Sequence, residues 1–207
     1  MKRLIGLFAA LLFAAVSYAQ TTEEIVAKME EVMGAHEKDG IIMTMDIKMP
    51  IIGTLSTRTW FIGDKYRTEG GMKNVKLVSV CDGTTEWTYD GKSNEITIVS
   101  VDPDHKSDEA SDAEMFHNVT EGYDVSIKKE TATEWQILCK KSKDNTNKDD
   151  PKTMTLVVAK GTFYPVSISA KMSGVTVTLR DVDFGVDESV LTFNISDYPG
   201  AKIIDKR

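Results

Sequence analysis

The chain has 207 residues, of which 41% are hydrophobic and 28% charged, and a formal net charge of −7 at neutral pH. An acidic balance argues against nucleic acid, and against a broadly basic grip on anionic lipid, as the basis of function. Two cysteines, Cys81 and Cys139, are too few for a disulfide scaffold, and whether they pair with each other is a matter of geometry.

Lys2 and Arg3 open the chain, an apolar run fills 4–16, and Ser17-Tyr18-Ala19 has the small-x-small pattern of a cleavage site. That order predicts a secretory signal peptide over 1–19, with an apolar run too short to span a bilayer. Gln20 follows the predicted cut, so the mature chain carries no acylated N-terminal cysteine. Losing Lys2 and Arg3 takes the charge from −7 to −9. The expected mature protein is exported and soluble, a single domain over 20–207.

Residues 21–34 read as a helix. Ile25, Val26, Met29, Val32 and Met33 form one apolar stripe, Thr21 and Glu24 have capping-box spacing, and Gly34 stands where a helix commonly ends. From Gly40 the period changes to two, with Ile41, Met43, Met45, Ile47 and Met49 on one face until Pro50 breaks the run. A strand over 52–62 carries Arg58 and Trp60 on one face and Leu55 and Phe61 on the other, and a short strand over 65–68 is expected to end at Gly70-Gly71. Asp82-Gly83 predicts a tight hairpin with positive φ at both residues. Its strands put Val75, Leu77, Ser79 and Cys81 on one face, Lys76, Val78 and Val80 on the other, and pair Trp87 with Tyr89. A second turn at Asp90-Gly91 leads into a strand over 95–101.

The run 102–114 is acidic. Ser111 and Glu114 suggest a short helix, and Asp102 and Asp104 invite a calcium reading, but the full loop pattern is absent and a solvated loop is expected. Strands follow over 123–129, 134–141, 154–160, 166–172 and 175–179, with a polar loop over 143–151; Leu191, Phe193 and Ile195 read as the closing strand. The sum is a mainly β chain of roughly eleven strands with one helix in front.

No catalytic constellation emerges. His36, His105 and His117 each sit singly in polar contexts, and none of the metal, phosphate or nucleophile motifs is present. No enzyme, cofactor or metal is predicted. The distinctive feature is soft and apolar, with Met43, Met45 and Met49 in one row with Ile41 and Ile47. A curved sheet with one amphipathic helix offers an apolar face for acyl chains, each buried methylene contributing about 0.8 kcal/mol.

Three stretches resemble the LolA-type family of periplasmic outer-membrane lipoprotein carriers. They are Leu77, Asp82-Gly83, Trp87 and Tyr89 in the hairpin; Phe193, Pro199-Gly200, Ile203-Ile204, Asp205 and Arg207 in the tail; and Lys160-Gly161, Pro165-Val166, Gly174 and the strand over 179–184. The resemblance implies an unclosed, strongly curved antiparallel β-barrel with a helical lid over an apolar cavity. It implies a monomeric carrier in the periplasm that takes acylated lipoproteins or lipid from an inner-membrane releasing complex to an outer-membrane acceptor. On this reading Met43, Met45, Ile47, Trp60, Leu77 and Trp87 line the cavity, and Ile25, Met29, Val32 and Met33 face it from the lid. Arg67, with Arg58 as second choice, stands where the family has an arginine that ties the lid down. The alternative is a lipid- or lipoprotein-sensing binding module on the same fold.

Overall fold

The computed structural model describes residues 20–72, 75–101 and 118–207. The expected signal peptide over 1–19 and most of the acidic run, with His105, His117 and the short helix at Ser111, lie outside these residues.

Helix α1 (Thr22–Ala35) begins where the capping box predicts. The Glu24 amide donates to Thr21 Oγ1 at 3.2 Å, and the Thr21 amide donates back to Glu24 Oε2 at 3.0 Å. It runs through Gly34 and ends at His36. Ile25, Val26, Met29 and Met33 are buried, and Val32 is half-buried. Four such side chains contribute on the order of 6 to 12 kcal/mol before entropy is counted. The capping box adds about 1 kcal/mol, so packing rather than local propensity holds a helix this short.

The strands are β1 (Ile41–Met49), β2 (Gly53–Ile62), β3 (Lys65–Met72), β4 (Val75–Cys81), β5 (Thr85–Asp90) and β6 (Glu95–Ser100). After the acidic run come β7 (Tyr123–Glu130), β8 (Glu134–Lys141), β9 (Thr153–Ala159), β10 (Pro165–Met172), β11 (Val175–Phe184) and β12 (Lys202–Asp205). All twelve form one sheet in the order β12-β6-β5-β4-β3-β2-β1-β11-β10-β9-β8-β7. Among the described residues every pairing is antiparallel except β12 with β6, and the sheet stays open between β7 and β12. The expected fold class holds, with twelve strands among the described residues where the sequence suggests roughly eleven.

Curvature follows from packing. One apolar cluster joins α1 to Val125 of β7, Ile137 and Cys139 of β8, Leu156 and Val158 of β9, Ile168, Leu179, Met43, Phe61 and Tyr66. Those side chains come from eight adjacent strands. Laid flat at 4.7–4.9 Å spacing, the strands would span roughly 34 Å, several times the width of a helix backbone. They meet one helix only because the sheet curls around it. A bulge helps: Asp181, at φ 55°, is the extra residue opposite Met43 where the β1–β11 register shifts.

Three local expectations are corrected. β3 does not stop at Gly70-Gly71 but runs through both, because a Cβ on Gly71 would stand 1.8 Å from the Val75 carbonyl oxygen and glycine alone fits that approach. The Asp82-Gly83 turn has positive φ only at Gly83. Asp82 instead uses Oδ1 to accept from the amides of Thr84 and Thr85, which lengthens the loop. The closing strand over Leu191, Phe193 and Ile195 is replaced by two 3-10 turns, Glu188–Leu191 and Ile195–Asp197, each capped by an Asx side chain (Asp187 and Asn194). The last strand, β12, comes after Pro199-Gly200.

Candidate functional site

Register fixes which side chains share a face. Across β1 to β6, residues directly opposite one another give the rungs Ile41-Phe61-Tyr66-Cys81-Glu86-Val99, Met43-Thr59-Thr68-Ser79-Thr88-Thr97 and Met45-Thr57-Gly70-Leu77-Asp90-Glu95. All lie on the α1 side. In the other direction the rungs stay apolar, with Met45 beside Leu179 and Ile168, and Ile47 beside Val177 and Ala170. The α1-side surface therefore changes character between β1 and β2. From β8 to β1 it is apolar; from β2 to β6 it carries hydroxyls and carboxylates.

The polar half is internally bonded. Thr59 and Thr68 hydroxyls lie 3.0 Å apart, and Ser79 Oγ and Thr88 Oγ1 donate to Glu86 Oε1 at 2.7 and 3.1 Å. Tyr66 sits on the boundary with its ring against the α1 cluster. Burial, and then the Glu86 carboxylate, push its hydroxyl well above the usual phenol range.

On β4 to β6 the apolar face is the opposite one. Val78, Val80, Ile96 and Ile98 are buried there beneath the C-terminal segment. Trp87, Phe193, Tyr198 and Tyr89 make a continuous stack, with centroids 6.2, 5.1 and 4.3 Å apart along it. The sheet thus has two cores on opposite faces, one closed by the N-terminal helix and the other by the C-terminal strap.

This arrangement divides the residues nominated from sequence. Met43 is buried beneath α1, and Met45 and Ile47 continue its row, half-buried. Leu77 faces the same side from the polar half and is 39% exposed. Trp60 and Trp87 face away, Trp60 under the Arg58 guanidinium at 5.2 Å and Trp87 in the C-terminal stack. Period-two alternation separates two faces but does not say which one meets the helix. Ile25, Met29 and Met33 are the buried contacts of α1 and Val32 lies at its margin.

Arg67 also lies on the outer face. Its Nη1 donates to the carbonyls of Val190 and Thr192 at 3.3 and 3.2 Å, and its Nε to Glu69 Oε1 at 2.7 Å. It fastens the C-terminal strap, not α1. Among the described residues, the side-chain hydrogen bonds of 21–35 stay within the helix and its buried contacts are apolar. At the helix end, His36 does not stand singly as the sequence suggests. Its Nδ1 lies 2.8 Å from Asp39 Oδ2, its Nε2 lies 3.2 Å from Tyr164 Oη, and its ring stacks on Phe184 at 4.5 Å.

Two clefts stand apart from these rungs. One of about 340 Å³ is lined by Lys76, Tyr89, Asn94, Asp197 and Tyr198, and one of about 510 Å³ by Asn118, Glu121, Asp144, Asn145 and Asp150. Among the described residues no three metal-ligating side chains cluster, and no helix is long and apolar enough to cross a membrane. Both cysteines are free and buried.

No family model matches the chain. An uncharacterized protein of Methanocaldococcus jannaschii is 26% identical over 97% of this chain, which spans 58% of that relative's length. Among solved structures, the lipoprotein LppX of Mycobacterium tuberculosis superposes with a TM-score of 0.50 at 7% identity, covering 81% of this chain and 98% of its own. An uncharacterized conserved protein of Thermus thermophilus gives 0.48 at 13% identity over 90% and 100% of the two chains. A LolA superfamily protein of Nitrosomonas europaea gives 0.33 at 11% over 84% and 99%. At such identities the likeness is one of fold alone, which the chain shares with LppX.

Proposed function

We propose that the chain is a periplasmic carrier, exported by a cleaved signal peptide, that buries acyl chains of lipoproteins and moves them from the inner to the outer membrane. One observation carries this reading. The apolar rungs on the α1 side run on past the helix, from buried Met43 to half-buried Met45, Ile47, Val177 and Ala170. Because α1 is held there by apolar contacts, an acyl chain replaces them like for like, at about 0.8 kcal/mol per methylene buried. Among the described residues, displacement of α1 breaks no side-chain hydrogen bond along its length, and the His36–Tyr164 contact at its C-terminal end gives it a pivot. No step calls for covalent chemistry, so the reading is of a binding protein, not an enzyme. An inner-membrane releasing complex and an outer-membrane acceptor are the partners it requires.

Native mass spectrometry of the protein purified from its own envelope tests this. Acylated protein in the complex is the expected result. Free lipid without protein overturns lipoprotein as the cargo, and an empty protein that also fails to release lipoproteins from spheroplasts overturns the carrier. Ligand-dependent capture of a partner without onward transfer to membranes favours the sensing module instead.

A further inference from the structure

The turn between β1 and β2 is built against its own chemistry. Ile51 is 106% exposed and holds φ at 71°, and the Ile52 amide donates to the Pro50 carbonyl at 2.8 Å around it. That is a γ-turn of the rare positive-φ form, centred on a β-branched residue where glycine or asparagine is expected. Ile52, beside it, is 50% exposed. A water-facing turn gains nothing from isoleucine here, because the residue adds both backbone strain and apolar surface.

The neighbouring tip has the same character. Met49 is opposite Gly53 on β2, and Lys48 is opposite Thr176 on β11, which also faces Lys171 of β10. The β10–β11 turn at Ser173-Gly174 therefore lies at the same end of the sheet as 50–52. Met172, the last residue of β10, is 40% exposed. Met49, Met172 and Val175 share the α1-side face of this rim, and Lys48 and Lys171, both exposed, share the outer face. The two tips form an apolar point with lysines set back by one residue. Along the same rim Asp90 and Glu95 follow on β5 and β6, with Glu95 paired to Lys202 at 3.1 Å.

We propose that these two tips are a membrane-contact element. Ile51, Ile52 and Met172 enter the interfacial layer of a bilayer, and Lys48 and Lys171 rest on lipid phosphates. Apolar residues ahead of long cationic side chains suit that layer, where hydrocarbon and phosphate lie a few ångströms apart. The net negative charge of the protein opposes general adsorption, so contact rests on this one point. The rim is also where the half-buried row Met45, Ile47 and Met49 reaches the end of the sheet, so a chain leaving the bilayer would meet that row directly. The contact itself does not depend on the inner face holding acyl chains.

Co-sedimentation of the purified protein with vesicles of phosphatidylethanolamine and phosphatidylglycerol tests the proposal. The wild type is expected to bind, and the double substitution Ile51→Gly, Ile52→Ser to lower the partition constant at least about tenfold. Glycine suits φ 71°, so this variant keeps or raises the melting temperature, and its loss of binding cannot come from unfolding. Lys48→Gln and Lys171→Gln should each weaken binding about fivefold, less on phosphatidylcholine alone. An environment-sensitive dye on Ile51→Cys should shift to the blue on vesicle addition. Equal binding by wild type and the Gly/Ser variant, or an unshifted dye, overturns the proposal. So does a wild type that ignores vesicles while the tips cross-link to a protein.

Discussion

Arg67 and Thr192 meet across the outer face of the sheet, guanidinium to carbonyl at 3.2 Å, on the side that α1 never touches. Arg67 also bonds the Val190 carbonyl and Glu69, so it holds the strap that covers the second core. Arg67→Ala leaves two main-chain acceptors and a carboxylate without their cation, at a cost of about 2 kcal/mol. For a chain of this size that lowers the melting temperature by roughly 4–8 °C. Trp87 reports the cause, because loosening the strap unstacks Phe193 from it. Its emission should shift in the variant while helix content by circular dichroism stays constant. Loss of helix signal with unchanged Trp87 emission would return Arg67 to α1.

Much of this architecture is legible before any coordinates. Thr21 and Glu24 mark the start of α1, Ile25 to Met33 mark its buried stripe, and alternation along β1 and β4 separates their faces correctly. What alternation leaves open is which face of a strand meets the helix. On β4 one face carries Val75, Leu77 and Cys81 and the other Val78 and Val80, so both are partly apolar. The choice is made by a segment more than 100 residues away, when Phe193 and Tyr198 cover Val78 and Val80. That is why the sequence alone puts Trp60 and Trp87 on the α1 side, from which they face away. The tail itself misleads because Leu191, Phe193 and Ile195 alternate like a strand; Asp187 and Asn194, each two residues ahead of a serine, are the turn signals that outweigh the alternation.

Acid should unfasten the outer face of β1. The Arg180 guanidinium, donating to Asp46 Oδ2 at 2.7 Å, and then the Ser56 hydroxyl at 2.6 Å hold the Asp46 carboxyl below its ordinary range. A depressed folded value stabilises the protein above the unfolded carboxylate pKa, and that contribution is lost as pH falls through the folded value. Arg180 is 40% exposed, so solvent screening keeps the effect to about 1 kcal/mol or less. Thermal melts of wild type and Asp46→Asn should differ at pH 6 and converge as the pH falls through and below the ordinary carboxylate range. A constant difference at all pH values would assign the effect to packing instead.

Neither cysteine should behave as a reactive thiol. Burial alone pushes Cys139, beneath α1, up to about 11, and burial first among several causes raises Cys81. At pH 8 both are almost wholly protonated and shielded. Iodoacetamide should label the native protein slowly and the denatured protein at two sites, counted by intact mass. Displacement of α1 exposes Cys139, so an acyl ligand that moves the helix should speed labelling of Cys139 in preference to Cys81. Equal rates with and without ligand would place the ligand elsewhere.

The change of character between β1 and β2 orders the parts of any amphiphile held on the α1 side. Ile47, Val177 and Ala170 accept hydrocarbon, so Ile47→Asp puts a carboxylate where a chain must lie and should abolish alkyl binding. The other half accepts hydrogen bonds. Ser79 and Thr88 spend their donors on Glu86, and the Tyr66 hydroxyl adjoins Ser79 and Glu86, so acceptors outnumber free donors here. A head group rich in O–H or N–H donors suits that surface, and an anionic head is repelled by Glu86, Asp90 and Glu95. Of two ligands with the same twelve-carbon chain, dodecyl maltoside should therefore bind more tightly than dodecanoate. A carboxylate about 8 Å from one of these side chains is disfavoured by about 2 kcal/mol at an effective dielectric of 20, more than tenfold in affinity. Glu86→Gln keeps the shape and removes one charge, so it should bring the two ligands closer together by raising dodecanoate affinity. Isothermal titration of wild type and Glu86→Gln with both ligands reads this directly. If the head-group preference survives Glu86→Gln unchanged, the head does not lie over β4 and β5.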